Sequence, residues 1–176
     1  MKVIFLDIDG VLNSIESMLV LRDSNIDCLC PIRIGMVKRL CEEAGAKIVV
    51  SSSWRCPTLY RTKESMQRAG ADALLPFIID QTPRIAGTRA RTRGHEIAAW
   101  LEKNKPEIYV ILDDDGDMLP GQFFVHTSMA CGFSLDNYLD ALEILAPGHP
   151  DLSPLRGLAP YRGRWKREVH AQRNGE

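Results

Sequence analysis

Apolar residues in this chain fall into two rhythms. Unbroken apolar runs at Val3–Leu6, Ile48–Val50 and Ile108–Leu112 suit strands buried on both faces of a parallel sheet, the second opening at Lys47. Between them Ile34, Val37, Leu40, Cys41 and Ala44 recur at helical spacing, and Gly45 follows as a C-terminal cap. Ile97, Trp100 and Leu101 mark a second helix, and Leu135, Tyr138, Leu139, Leu142 and Leu145 a third ending at Ala146. Leu59–Gly70 reads as a weakly amphipathic helix, Ala73–Ile79 as one or two short strands broken by Pro76, and Phe123–Thr127 as a last strand before a turn at Gly132. Ser14–Pro31 has no clean period. This alternation predicts an α/β, Rossmann-like fold with a mostly parallel central sheet flanked by helices.

The apolar runs end in polar residues, where open α/β sheets place their chemistry. Asp7 and Asp9 follow the first run; in extended geometry residues two apart share a face, so both carboxylates can enter one crevice. Two like charges that close repel unless a cation, a shared proton or solvent relieves them. Gly10 supplies a tight turn that lets backbone approach a ligand, although Asp-x-Asp-Gly is also an ordinary polar turn. Ser51, Ser52 and Ser53 follow the second run, offering hydroxyls and amides to a phosphoryl oxygen or a cap to the next helix. Trp54 can stack on a base or bury in the core, and the planar fork of Arg55 can clamp phosphate. Asp113, Asp114, Asp115 and Asp117 follow the third run. Magnesium takes oxygen ligands in octahedral geometry, so Asp7, the backbone carbonyl of Asp9, and Asp113 with Asp114 form a candidate Mg2+ site, with Asp117 an alternative; an acidic surface turn is the plainer reading. The twelve-residue EF-hand pattern is missing.

Composition narrows the class. The 176 residues suffice for one well-cored domain, here residues 1–146, followed by a Pro/Gly-rich tail, 147–176, with six basic residues against three acidic. The net charge of −1 hides an asymmetry: Arg55–Arg93 holds eight basic and three acidic residues, Gly94–Ala146 two basic and ten acidic. A basic middle beside an acidic end favours a phosphorylated substrate. Five cysteines without a CxxC pair support neither a disulfide framework nor a zinc site. No run has transmembrane length and no signal peptide is apparent, so a cytoplasmic protein without membrane attachment is expected.

Four segments in order, FLDIDGVLN, KIVVSSSWR, TRGHEIAAWL and YVILDDDGD, resemble the four motifs of the haloacid dehalogenase (HAD) superfamily of aspartate-nucleophile phosphatases. SSSWR, RGHEIAAWL and ILDDD are more narrowly similar to the phosphatase domains associated with RNA-repair and polynucleotide kinase/phosphatase proteins. The resemblance spans about Met1–Ala146. It implies a HAD fold, with the short Ser14–Pro31 segment as a minimal cap or none, and an aspartyl-phosphate mechanism. Asp7 is then the nucleophile and Asp9 the general acid and base. Ser51 and Arg93 stabilise the phosphoryl group, with Arg91 in reserve for Arg93, and Gly10, Ser52 and Arg55 help bind substrate. His95 and Glu96 read as helix surface. The substrate expected is a nucleic-acid end, RNA or DNA, or a nucleotide. A small phosphorylated metabolite is the alternative enzyme reading, and a non-catalytic nucleic-acid-binding protein the alternative class. Oligomeric state is not legible.

Overall fold

The computed structural model describes residues 1–21, 29–85 and 92–150. Its elements run β1 (Lys2–Leu6), α1 (Ile15–Leu21), α2 (Pro31–Ala44), β2 (Ala46–Val50), α3 (Leu59–Arg68), β3 (Ile78–Gln81), α4 (Arg93–Asn104), β4 (Ile108–Asp113), β5 (Phe124–His126) and α5 (Leu135–Leu145). All five strands are parallel, in the order β3-β2-β1-β4-β5. The most apolar strand is therefore central, where neighbours satisfy both backbone edges and helices cover both faces.

Strand alternation sorts the core into two layers. Ile4 and Leu6, with Ile48, Val50, Val110 and Leu112, pack in the larger cluster with residues of α2 and α5. Val3, Phe5, Val49 and Ile111 pack against Ile97 and Trp100 of α4. Phe5 meets the Trp100 ring edge-on at 5.3 Å, and Trp100 Nε1 donates to Asp80 Oδ2 at 2.7 Å, tying α4 to β3. Burial of the indole therefore leaves no unpaired donor.

Helix ends follow their sequence signals. Pro31 opens α2, and Gly45 at φ +64° closes it. Thr58 accepts from Arg61 N to cap α3, and Ser134 and Asn137 cap α5 reciprocally.

Two expectations change. Ser14–Pro31 contains a helix, α1: Ser14 N donates to Ser17 Oγ at 2.9 Å and Ser17 N to Ser14 Oγ at 3.1 Å, a capping exchange in which serine stands where Glu or Gln is usual. The helix leaves Leu19 and Val20 74% exposed, which is why no apolar period announced it. Residues 22–28 of the expected cap lie outside the described residues. Ala73–Ile79 is not strand throughout: Asp72–Leu74 is a one-turn 3-10 helix, and β3 starts at Ile78 and continues into polar Asp80 and Gln81. At the sheet edge a strand need not be apolar.

Among the described residues Cys30, Cys41, Cys56 and Cys131 are free thiols, and Cys28 lies outside them. No helix among those residues is long and apolar enough to cross a membrane. Most of the expected C-terminal tail, residues 151–176, also lies outside.

Candidate active site

Register builds the site. Leu6 pairs with Val50 on one side and Leu112 on the other, so the residues following all three strands fall in one row. Backbone bonds carry the row one residue further: Asp7 N donates to Leu112 O at 2.9 Å and Ser51 N to Leu6 O at 2.8 Å. Asp7, Ser51 and Asp113 share the parity of Phe5, Val49 and Ile111. All three therefore point to the α4 side of the sheet.

Arg93, the first residue of α4, meets them there. Its Nη2 lies 4.0 Å from Asp7 Oδ1, and its Nε 3.7 Å from Asp113 Oδ2. Gly94 permits this approach: a Cβ there would lie 2.5 Å from Leu119 N, and Gln122 Nε2 donates to Gly94 O at 2.9 Å. Asp117 Oδ2 accepts from Arg93 N at 2.9 Å and is spent on the helix N-terminus. His95 Nδ1 accepts from Thr92 N at 3.2 Å, completing the cap. Arg91 lies outside the described residues.

The carboxylates are poised rather than satisfied. Carboxylate oxygens of Asp7, Asp113 and Asp114 lie within 4.8 Å of one another. Burial pushes Asp7 up to about 6, with the Ser52 hydroxyl and Arg93 opposing. Asp113 rises to about 8, from burial and then from the charge of Asp7. Asp114 is raised too, by burial and Asp115. Asp7 Oδ1, Asp113 Oδ2, Ser51 Oγ and Arg93 Nη1 are buried without a hydrogen-bond partner. Orphaned buried polar atoms are rare; two acceptors for a cation beside two donors for a phosphoryl oxygen fit a divalent metal and a phosphate together. Asp114 rather than Asp117 completes the acidic trio.

Asp9 is held differently. Its Oδ1 accepts from Asn13 Nδ2 at 2.8 Å and its Oδ2 from Trp54 Nε1 at 3.0 Å. Gly10 N donates to Asn13 Oδ1 at 3.0 Å. Trp54 is thus neither a free stacking platform nor a fully buried core residue: its ring packs on the main cluster while its nitrogen reaches the site. Sequence reading took Trp54 for a base-stacking or core residue and missed its bond to Asp9, and it missed Asn13 altogether. Asn13 closes the turn opened at Asp9, a local signal; Trp54 stands 45 residues from its acceptor, and no spacing connects them.

Arg55, expected to hold phosphate, belongs to the scaffold. Its Nε donates to Ser52 O, its Nη1 to Thr82 O, Thr82 Oγ1 and Pro83 O, and its Nη2 to Glu96 Oε2 at 2.7 Å. All three guanidinium nitrogens are engaged, and the residue is 6% exposed. Glu96 also accepts from Ile85 N, so it anchors the second and third motifs to each other rather than forming helix surface.

Neither the curated proteins nor the solved structures contain a significant match to this chain. A family model does match, over residues 3–138: the HAD domain in Swiss Army Knife RNA repair proteins. That span contains the buried carboxylate row, Arg93 and the doubly bonded Asp9, and covers well over half of the 176 residues. The chain belongs to this HAD family, and membership implies a phosphatase-type hydrolase.

Proposed function

We propose that this protein is a magnesium-dependent phosphoric monoester hydrolase that removes a terminal phosphate from a nucleic acid or nucleotide. The observation that carries the reading is the pairing of a buried Asp7, whose Oδ1 has no hydrogen-bond partner, with a separately held Asp9. One carboxylate is free to attack while another, two residues on, is free to move a proton. One oxygen of Asp7 attacks phosphorus, the bond from phosphorus to the leaving oxygen breaks, and Asp9 gives that oxygen its proton. Asp9 then takes a proton from water; the water oxygen bonds to phosphorus, and the bond from phosphorus to Asp7 breaks. Burial raises Asp7, while the Ser52 hydroxyl and Arg93 oppose the rise and favour the anion that attack requires. Arg93 lies between Asp7 and Asp113, where its charge serves the transferring oxygens, and the Ser51 hydroxyl supplies a further donor.

Asp7, Asp113 and Asp114, with the backbone carbonyl of Asp9, would hold the magnesium ion. When bound, it supplies Lewis-acid polarisation and neutralises the facing anions. The nucleic-acid assignment draws support from the family description and from the short segment, residues 14–30, between the first motif and α2. A short segment favours an open crevice.

The test is phosphate release with magnesium from 3′- and 5′-phosphorylated oligonucleotides, mononucleotides and sugar phosphates, by wild type and Asp7→Asn. Release from oligonucleotide ends, lost in Asp7→Asn, is expected. Preference for sugar phosphates would move the protein to small-metabolite chemistry. Salt-sensitive oligonucleotide binding that persists in Asp7→Asn, without release by either protein, would replace catalysis with a binding role.

A further inference from the structure

Both oxygens of Asp9 accept a hydrogen bond from the protein itself. Asn13 Nδ2 donates to Oδ1 at 2.8 Å, and Trp54 Nε1 to Oδ2 at 3.0 Å. The Asn13 contact has one chemically consistent orientation, because the amide oxygen is taken by Gly10 N at 3.0 Å and the amide nitrogen must therefore face Asp9. Asn13 is fully buried, so it has no solvent alternative. The indole nitrogen is a donor and nothing else. Trp54 is fixed in turn: its ring packs on the main core, and its own N donates to Ser52 Oγ at 3.2 Å.

A carboxylate oxygen has two in-plane lone pairs. With one pair on each oxygen of Asp9 committed to Asn13 or Trp54, one direction per oxygen is left for a proton in transit. General acid catalysis depends on that direction, since the acid must reach the departing oxygen within hydrogen-bonding range. Asp9 is half-buried and has no ion-pair partner among the described residues, whereas Asp7 and Asp113 face Arg93. Its orientation is therefore set by two neutral donors.

We infer that Trp54, with Asn13, is a positioning residue that aims Asp9 at the leaving-group oxygen, so that the second motif serves proton delivery as well as phosphoryl binding. This rests on the phosphatase reading above. Trp54 acts through Asp9, to whose Oδ2 it donates.

The consequence is a dependence on leaving group. An ester whose leaving group departs as a stable anion needs little protonation; one that departs as an alkoxide needs it fully. p-Nitrophenyl, phenyl and benzyl phosphate form such a series with similar rings. Trp54→Phe keeps the ring and removes the donor. Their kcat/KM values cover binding through leaving-group departure and omit the later hydrolysis common to all three. Trp54→Phe should lower kcat/KM for benzyl phosphate by roughly 10- to 100-fold while p-nitrophenyl phosphate stays within about threefold. In an Asp9→Asn background the same substitution should cause no further loss with benzyl phosphate, because a residue acting through Asp9 has nothing left to aim.

Equal losses across the three esters, or losses that add in the Asp9→Asn background, would reduce Trp54 to a packing residue and overturn the inference. An unchanged profile in a folded Trp54→Phe protein would do the same while leaving the phosphatase reading standing. Silence of wild type toward all three esters and the phosphorylated panel would instead remove the phosphatase reading, and this inference with it.

Discussion

A Cβ placed on Gly10, whose φ is +65°, would lie 2.2 Å from Asp114 Cγ. Backbone conformation and close approach both require glycine there. Asp114 Cβ, whose place is set by its backbone, would lie at 2.6 Å as well, so turning the carboxylate cannot relieve the clash. Gly10→Ala should therefore cost more than the roughly 1–2 kcal/mol of a left-handed alanine and should displace Asp114 from Asp7 and Asp113. The expected result is a melting temperature whose rise with added magnesium is less than half that of wild type. A full magnesium response in Gly10→Ala would show that Asp114 is no ligand.

Asp7→Asn removes the nucleophile and also one of two buried acids that face each other, the other being Asp113. Turnover should fall by about 10³-fold or more. The metal-free protein should melt no lower than wild type, since the neutral amide relieves the charge that raises Asp113. Phosphate release and thermal melts on the same preparation check both, and substantial residual turnover would break the mechanism.

Arg55 and Glu96 form a pair whose side chains are 4% and 16% exposed. Replacing Arg55 by Met leaves Glu96 half of a buried pair and strips donors from Ser52 O and Thr82 O. The expected loss is about 3–5 kcal/mol of stability. KM of the folded fraction should be unchanged, because every guanidinium nitrogen of Arg55 is already bonded within the protein. A large rise in KM with unaltered melting would return Arg55 to the substrate site.

Without metal, stability should fall as pH rises. Asp7 and Asp113 titrate near 3.8 in the unfolded chain, but at about 6 and about 8 when folded. Above about pH 4 the unfolded state releases protons the folded state keeps, so the linkage slope is negative until each folded value is passed. Melting temperature should therefore decline from pH 5 to 8 in chelator and decline less in saturating magnesium, which binds the ionised acids. A metal-free protein that gains stability across that window would contradict the burial of these acids as the dominant effect.

The four motifs were legible because each is local. A buried parallel strand reads as an apolar run and its carboxyl end is where side chains leave the sheet, which placed Asp7; Asp9 sits in the turn closed by Leu12 N donating to Ile8 O at 2.8 Å, where strand alternation no longer applies. Helical spacing placed the helices, and the resemblance to the third motif placed Arg93, with Arg91 in reserve, at the head of α4. Asn13 stood within reach of that reasoning, four residues from Asp9, but only its bond to Gly10 shows which way its amide points.

What the sequence by itself determined, then, was the parallel α/β architecture and the row of strand-end residues, since strand burial and side-chain alternation are properties of short segments. Tertiary structure decided which long side chain serves which partner. Trp54 reaches Asp9 across 45 residues and Arg55 reaches Glu96 across 41. Asp114 joins the acidic trio while Asp117 caps α4. These choices depend on the paths of loops leaving separate strands and on which polar atoms burial would otherwise leave unpaired. No periodicity along the chain encodes either.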